Sequence, residues 1–159
     1  MVKLSANFTL EEMLYSAIAQ AKGIKNTMTD SVLITENLRN LCLSVLQPVR
    51  NHFGPLIVSS GYSCPALAKI LGRKPTSQHC TGQAADIVSN RVQNIDLAKW
   101  IKRNLVFDQL IYECRRRKDG TYYDWVHVSY RSDGKNRKEI LNSPPGGGYM
   151  KGLPEKIYV

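Results

Sequence analysis

One carboxylate, Asp86, sits in the apolar run Ala84-Ala85-Asp86-Ile87-Val88, and no other acid occurs between Glu36 and Asp96. A run of this kind reads as a buried strand, and an ionised carboxylate is costly to bury unless a cation or a donor pairs with it. Any fold open to this chain must therefore bring a partner to Asp86. His79 stands seven positions earlier, across the polar, turn-like stretch that opens at Ser77. If the partner is a metal ion, His79 is the natural co-ligand.

Composition narrows the class only a little. The chain has 159 residues, 43% hydrophobic and 22% charged, which fits one globular domain and excludes wholesale disorder. Its net charge of +9 favours anionic partners: nucleic acid, anionic membrane or bacterial cell wall. The cysteines, Cys42, Cys64, Cys80 and Cys114, form no C-x-x-C pair. A zinc ribbon and a thioredoxin-type site are thereby disfavoured, and reduced thiols are expected. Glu11 and Glu12 interrupt the N-terminus before any apolar run develops, so no signal peptide is expected. No stretch approaches the roughly 20 apolar residues of a membrane-spanning helix. These features predict a soluble protein made in the cytoplasm.

Thr9 and Glu12 form a capping box, and Leu10, Met13, Leu14, Ala17, Ile18 and Ala21 recur at helical spacing up to Lys22-Gly23. A longer helical pattern runs from Thr29-Asp30 to about Phe53, with Pro48 a kink or break. Strands are expected at 56–60, 83–88, 107–113 and 122–130. A short helical turn is expected at 64–71 and a helix at 94–104, and Asp119-Gly120 reads as a hairpin turn. The Pro144-Pro145-Gly146-Gly147-Gly148 tail reads as a loop or a ligand-facing flap. The order, helices first and a mainly antiparallel sheet after, predicts a single α+β domain over 1–159. Its helical part would be 1–55, its sheet with the metal site 56–141 and its tail 142–159.

The histidines are His52, His79 and His127. His52 ends a helix, where a cation suits the helix dipole. His127 lies in Trp125-Val126-His127-Val128-Ser129, whose alternation puts Trp125, His127 and Ser129 on one strand face. Two imidazoles and one carboxylate are a common ligand set for a catalytic zinc with one open position. His79, Asp86 and His127 supply such a set. Amide hydrolysis also needs a carboxylate to carry the proton; Asp124, three residues before His127, can reach the same site if the strand begins after a turn, and otherwise reads as a solvent-facing turn acid. As an adjacent residue in an extended segment, Cys80 would point away from His79. Ser77 reads equally well as a support to the site and as a turn serine.

The pattern Ser77-x-His79-x-x-Gly82-x-Ala84-x-Asp86, with Trp125-x-His127 downstream, resembles the zinc D-Ala-D-Ala carboxypeptidase and L-alanyl-D-glutamate endopeptidase family. That family shares its fold with the hedgehog signalling domain. The likeness extends to Ser59-Ser60-Gly61-Tyr62, to Phe107-Asp108-Gln109-Leu110-Ile111 and to the Phe8–Glu12 segment of the phage-encoded, endolysin-like branch. It implies Zn2+ held by His79, Asp86 and His127, with Asp124 as general base, where many relatives carry Glu. The family typically has Arg after Ser-Gly-Tyr; here that position is Ser63. Arg73 or Lys74 is the alternative source of a cation, and Ser77, Ser63, Arg73 and Trp125 are the candidates for supporting or substrate contacts. The implied function is hydrolysis of a peptide bond in peptidoglycan stem peptides, by an enzyme that reaches the wall after lysis or from a virion. A monomer without a dedicated nucleic-acid site or membrane insertion is expected. The alternative is a catalytically weak, metal-binding wall or virion module on the same fold.

Overall fold

The computed structural model describes residues 1–158. The N-terminal layer is helical and is set by its caps. The Thr9 hydroxyl accepts from the Glu12 amide to open α1 (Leu10–Leu14), but the helix does not run on to Ala21. Tyr15 is extended, and the Ser16 hydroxyl accepts from the Ala19 amide to start α2 (Ala17–Ala21). A second N-cap inside one helical pattern divides it into two short helices.

Asp30 caps α3 (Ser31–Leu41), which passes through a π-helical turn, Cys42–Leu46, into α4 (Gln47–Phe53). The rod does not break at Pro48. Proline lacks an N–H, and its ring crowds the carbonyl four residues back. The wider turn just ahead of it, in which the Gln47 amide donates to the Cys42 carbonyl, accommodates this.

Six strands follow: β1 (Ile57–Ser60), β2 (Ala84–Val88), β3 (Gln109–Arg116), β4 (Tyr122–Ser129), β5 (Glu139–Ser143) and β6 (Met150–Lys151). They form one sheet in the order β1-β2-β4-β3-β5-β6. Every neighbouring pair is antiparallel except β3 with β5, so the architecture is α+β as the element order predicts. Between β1 and β2 lie α5 (Pro65–Ile70) and a 3-10 turn, Gln78–Thr81; α6 (Asn94–Asn104) joins β2 to β3. The tail is more structured than a loop. Its residues complete β5 and supply β6, and the Tyr158 ring stacks on buried Tyr112 with centroids 6.2 Å apart.

Register sorts the sheet into two faces. Asp86 pairs with His127, His127 with Ile111, and Trp125 with Glu113, so these side chains share one face. Tyr112, Cys114, Asp124 and Val126 occupy the other face, where α6 packs across β3 and β4. Val126, Val128, Ile87, Leu97 and Ile101 are fully buried there. The opposite face is thus free to carry polar chemistry.

Candidate metal centre

Three elements deliver three side chains to one point. Asp86 comes from the middle of β2, His127 from β4 directly opposite it, and His79 from the 3-10 turn that precedes β2. That turn starts at Ser77, whose hydroxyl accepts from the His79 amide, and ends at Gly82 with φ +71°. Gly82 lies against α3: a Cβ there would meet the Ile34 carbonyl oxygen at 2.8 Å. Backbone contact with α3 and the left-handed conformation both require glycine here.

His79 Nε2 lies 3.2 Å from His127 Nδ1 and 3.3 Å from Asp86 Oδ1, and His127 Nδ1 lies 3.0 Å from that same oxygen. The residues are buried, at 3% exposure for His79, 8% for Asp86 and 9% for His127. On the far side of its ring, His79 Nδ1 donates to the Gly61 carbonyl at 2.7 Å. A carbonyl only accepts, so Nδ1 carries the proton, and in the neutral ring Nε2 presents a lone pair to the cluster. Asp86 feels burial first, which raises its pKa. The adjoining His79 and His127 rings outweigh this and hold it well below the usual carboxylate range.

Arg73 completes the surroundings. Its guanidinium donates to Asp86 Oδ2 at 3.0 Å, to Ser60 Oγ at 3.1 Å and to Ser63 Oγ at 2.8 Å. Asp86 therefore offers one oxygen to the two imidazoles and the other to a cation. Ser63 anchors the arginine that comes in from the loop after α5. Lys74 contributes its carbonyl, which accepts from the Ser77 amide and the Cys80 thiol.

These residues suit a metal ion. Two ring nitrogens and a carboxylate oxygen that mutually approach at 3.0–3.3 Å bring three lone pairs together, and a single proton cannot satisfy them all. Tetrahedral bonds of about 2.0–2.1 Å to zinc set neighbouring ligand atoms about 3.3 Å apart. The spacing is close to that, and this triad is the one such group of His, Cys, Asp or Glu side chains among the described residues. Cys80 lies in the 3-10 turn rather than in an extended segment. Its thiol donates to the Lys74 carbonyl at 3.9 Å, away from the triad.

Asp124 is placed elsewhere. It lies on the α6 face of β4, where its carboxylate accepts from the Tyr112 hydroxyl and from Asn94 Nδ2, the latter at 2.9 Å. A strand turns alternate residues to opposite faces, so residues three apart, such as Asp124 and His127, cannot share one. The expectation that Asp124 meets the triad is corrected accordingly.

The carboxylate that does share the face is Glu113, opposite Trp125 and one strand from His127. It is 9% exposed and paired with Arg115 at 3.1 Å. Burial foremost, and then the negative charge of Asp86, raise its pKa above the ordinary carboxylate value. Glu113 lies in the apolar segment read as strand β3, and its even spacing from Ile111 was the available signal. The β3–β4 register needed to see it is not written in either segment alone.

Two imidazoles and a carboxylate, brought together from a 3-10 turn and two paired strands beside a buried glutamate, make a candidate metal site. The peptidase M15 family model matches residues 6–129, and the chain belongs to that family of zinc-dependent metallopeptidases. No curated protein matches the chain.

Proposed function

We propose that the protein is a zinc peptidase that cuts a peptide bond in bacterial peptidoglycan stem peptides. The observation that carries the reading is the convergence of His79 Nε2, His127 Nδ1 and Asp86 Oδ1 on a face that also bears Glu113. His79, Asp86 and His127 would hold the ion. Zinc in such a site supplies Lewis acidity and makes water acidic enough to attack near neutral pH.

The chain's own residues handle protons and orientation. Glu113 takes the proton of the attacking water and returns it to the leaving amide nitrogen. Its raised pKa brings it closer to the neutral range in which such a shuttle works best. Arg115 holds one Glu113 oxygen, which orients the other. Arg73 binds the outer oxygen of Asp86, so that carboxylate keeps a single orientation. The Gly61 carbonyl does the same for His79.

A charge of +9 suits a wall polymer rich in carboxylates and phosphates. An endolysin-like enzyme that meets the wall after lysis, or from a virion, is the setting consistent with that charge and with the sequence resemblance. The test is release of new amino groups from purified peptidoglycan fragments by the zinc-loaded protein, with and without chelator. Chelator-sensitive release is the expected result; no release by protein with stoichiometric zinc overturns the reading.

A further inference from the structure

The face that carries the triad continues along the β3–β4 hairpin past Glu113 and Arg115, where Trp125, Tyr123 and Arg117 form a row that proton transfer does not use. Arg115 stands opposite Tyr123, and Glu113 opposite Trp125. The Trp125 and Tyr123 rings stack with centroids 5.7 Å apart and 20° between their planes. The Arg115 guanidinium lies 5.5 Å from the Trp125 ring centroid, and that of Arg117 lies 4.7 Å from the Tyr123 centroid. Stacking on a ring fixes a guanidinium plane and leaves its N–H edge available. Arg115 has its edge occupied by Glu113, Ser143 and the Cys114 carbonyl. Arg117 is exposed and gives one nitrogen to the Tyr122 carbonyl at 3.1 Å; its other side-chain nitrogens make no hydrogen bond among the described residues.

We propose that this row is a substrate subsite in which Arg117 receives a carboxylate of an acidic peptide, with Tyr123 and Trp125 as its floor. The assignment rests on the peptidase reading for its orientation relative to the cut bond. The Arg117 guanidinium stacks on Tyr123, which stands opposite Arg115, the next pair along this face from Glu113 and Trp125. The recognised carboxylate therefore lies a few residues of extended peptide from the bond that is hydrolysed. Charge complementarity selects the occupant. Arg116 and Lys118 flank Arg117 at the exposed end of the hairpin, and Asp119 there is occupied by the Thr121 amide and hydroxyl.

Two probes decide it: a synthetic stem peptide with free side-chain carboxylates, and the same peptide with those carboxylates amidated. Binding is measured by titration calorimetry on the full chain carrying Glu113→Gln, so that no turnover intrudes. The free-acid peptide is expected to bind about three- to tenfold more tightly, the range of a partly exposed, pre-oriented ion pair. Arg117→Gln should erase that preference and, in the otherwise unaltered enzyme, raise KM for the acidic peptide by a similar factor. Lys102→Gln removes the same charge from α6, on the other side of the sheet, and should keep the preference. Equal binding of the two peptides, a preference that survives Arg117→Gln, or one lost equally in Lys102→Gln overturns the subsite. So does single-stranded DNA that outcompetes the acidic peptide through Arg117, which reassigns the row to nucleic acid. If the unaltered enzyme cuts neither peptide while the calorimetric differences hold, the peptidase reading fails and the subsite stands.

Discussion

At the scale of single residues, Asp124 and Glu113, the two carboxylates that could be assigned proton transfer, have opposite surroundings. Asp124 is tied to Tyr112 and Asn94 on the α6 side of the sheet, whereas Glu113 is buried on the metal side. Glu113→Gln is expected to lower turnover by about 10²–10⁴-fold, the usual worth of a general base. Bound zinc, measured by atomic absorption, should be unchanged. Asp124→Asn is expected to act on stability instead, at about 1 kcal/mol for disturbing a part-buried hydrogen-bond pair. Urea unfolding reads that loss, and turnover per folded molecule should be retained. Loss of turnover in Asp124→Asn at full stability would reverse the two assignments. The Glu113 shift also fixes a sign. Its active form is the carboxylate and its pKa is raised above 4.5, so kcat/KM should climb with pH through a limb above the ordinary carboxylate range. The Gln variant should lack that limb.

Arg73 presents a different kind of residue-scale effect. It does not touch the convergence point but holds the Asp86 oxygen that faces away from it. Arg73→Gln should weaken zinc binding by about 10–100-fold, as loss of a partner behind a metal ligand commonly does. Competition against a chelating dye measures this without recourse to activity.

At the scale of elements, the site depends on two close backbone approaches. A Cβ at Gly61 would sit 2.2 Å from the Met13 carbonyl oxygen of α1, and one at Gly82 would crowd α3. Gly61 also supplies the carbonyl that orients His79. Gly61→Ala must push α1 and β1 apart, so it should lower both the unfolding midpoint and zinc affinity. Equal zinc affinity in a destabilised variant would separate helix packing from His79 orientation. The Asp108 carboxylate is a second such joint, binding Arg137 and Gln78 and so linking the entry to β3 with the 3-10 turn.

At the scale of the whole molecule, acid sensitivity follows from Asp86 and Asp108. Burial works against the charge of both Asp86 and Asp108, but imidazole partners for the first and Arg137 for the second leave each pKa below its ordinary 3.8. A depressed folded-state pKa contributes stability that is present above the unfolded value and lost as pH falls below it. Metal-free protein should therefore lose unfolding free energy progressively below about pH 4. Urea midpoints across that range check it, and Asp108→Asn should flatten the profile.

Much of this was legible in the chain. His79, Asp86 and His127 stood out because a buried carboxylate needs a partner and few residues could be one. Helix α6 was readable to its ends, and the helical layer and the α+β order followed from periodicity. The split between α1 and α2 depends on Ser16 capping a second helix, and the π turn before Pro48 on how the helix absorbs the proline ring. Neither is a property of periodicity alone. Glu113, the proposed proton carrier, lies beyond such reading for a related reason. Sequence determines that residues two apart share a strand face, which is enough to separate Asp124 from His127. Only the pairing of β3 with β4 decides that Glu113 stands beside Trp125 on the metal side, because register joins segments that are distant in the chain.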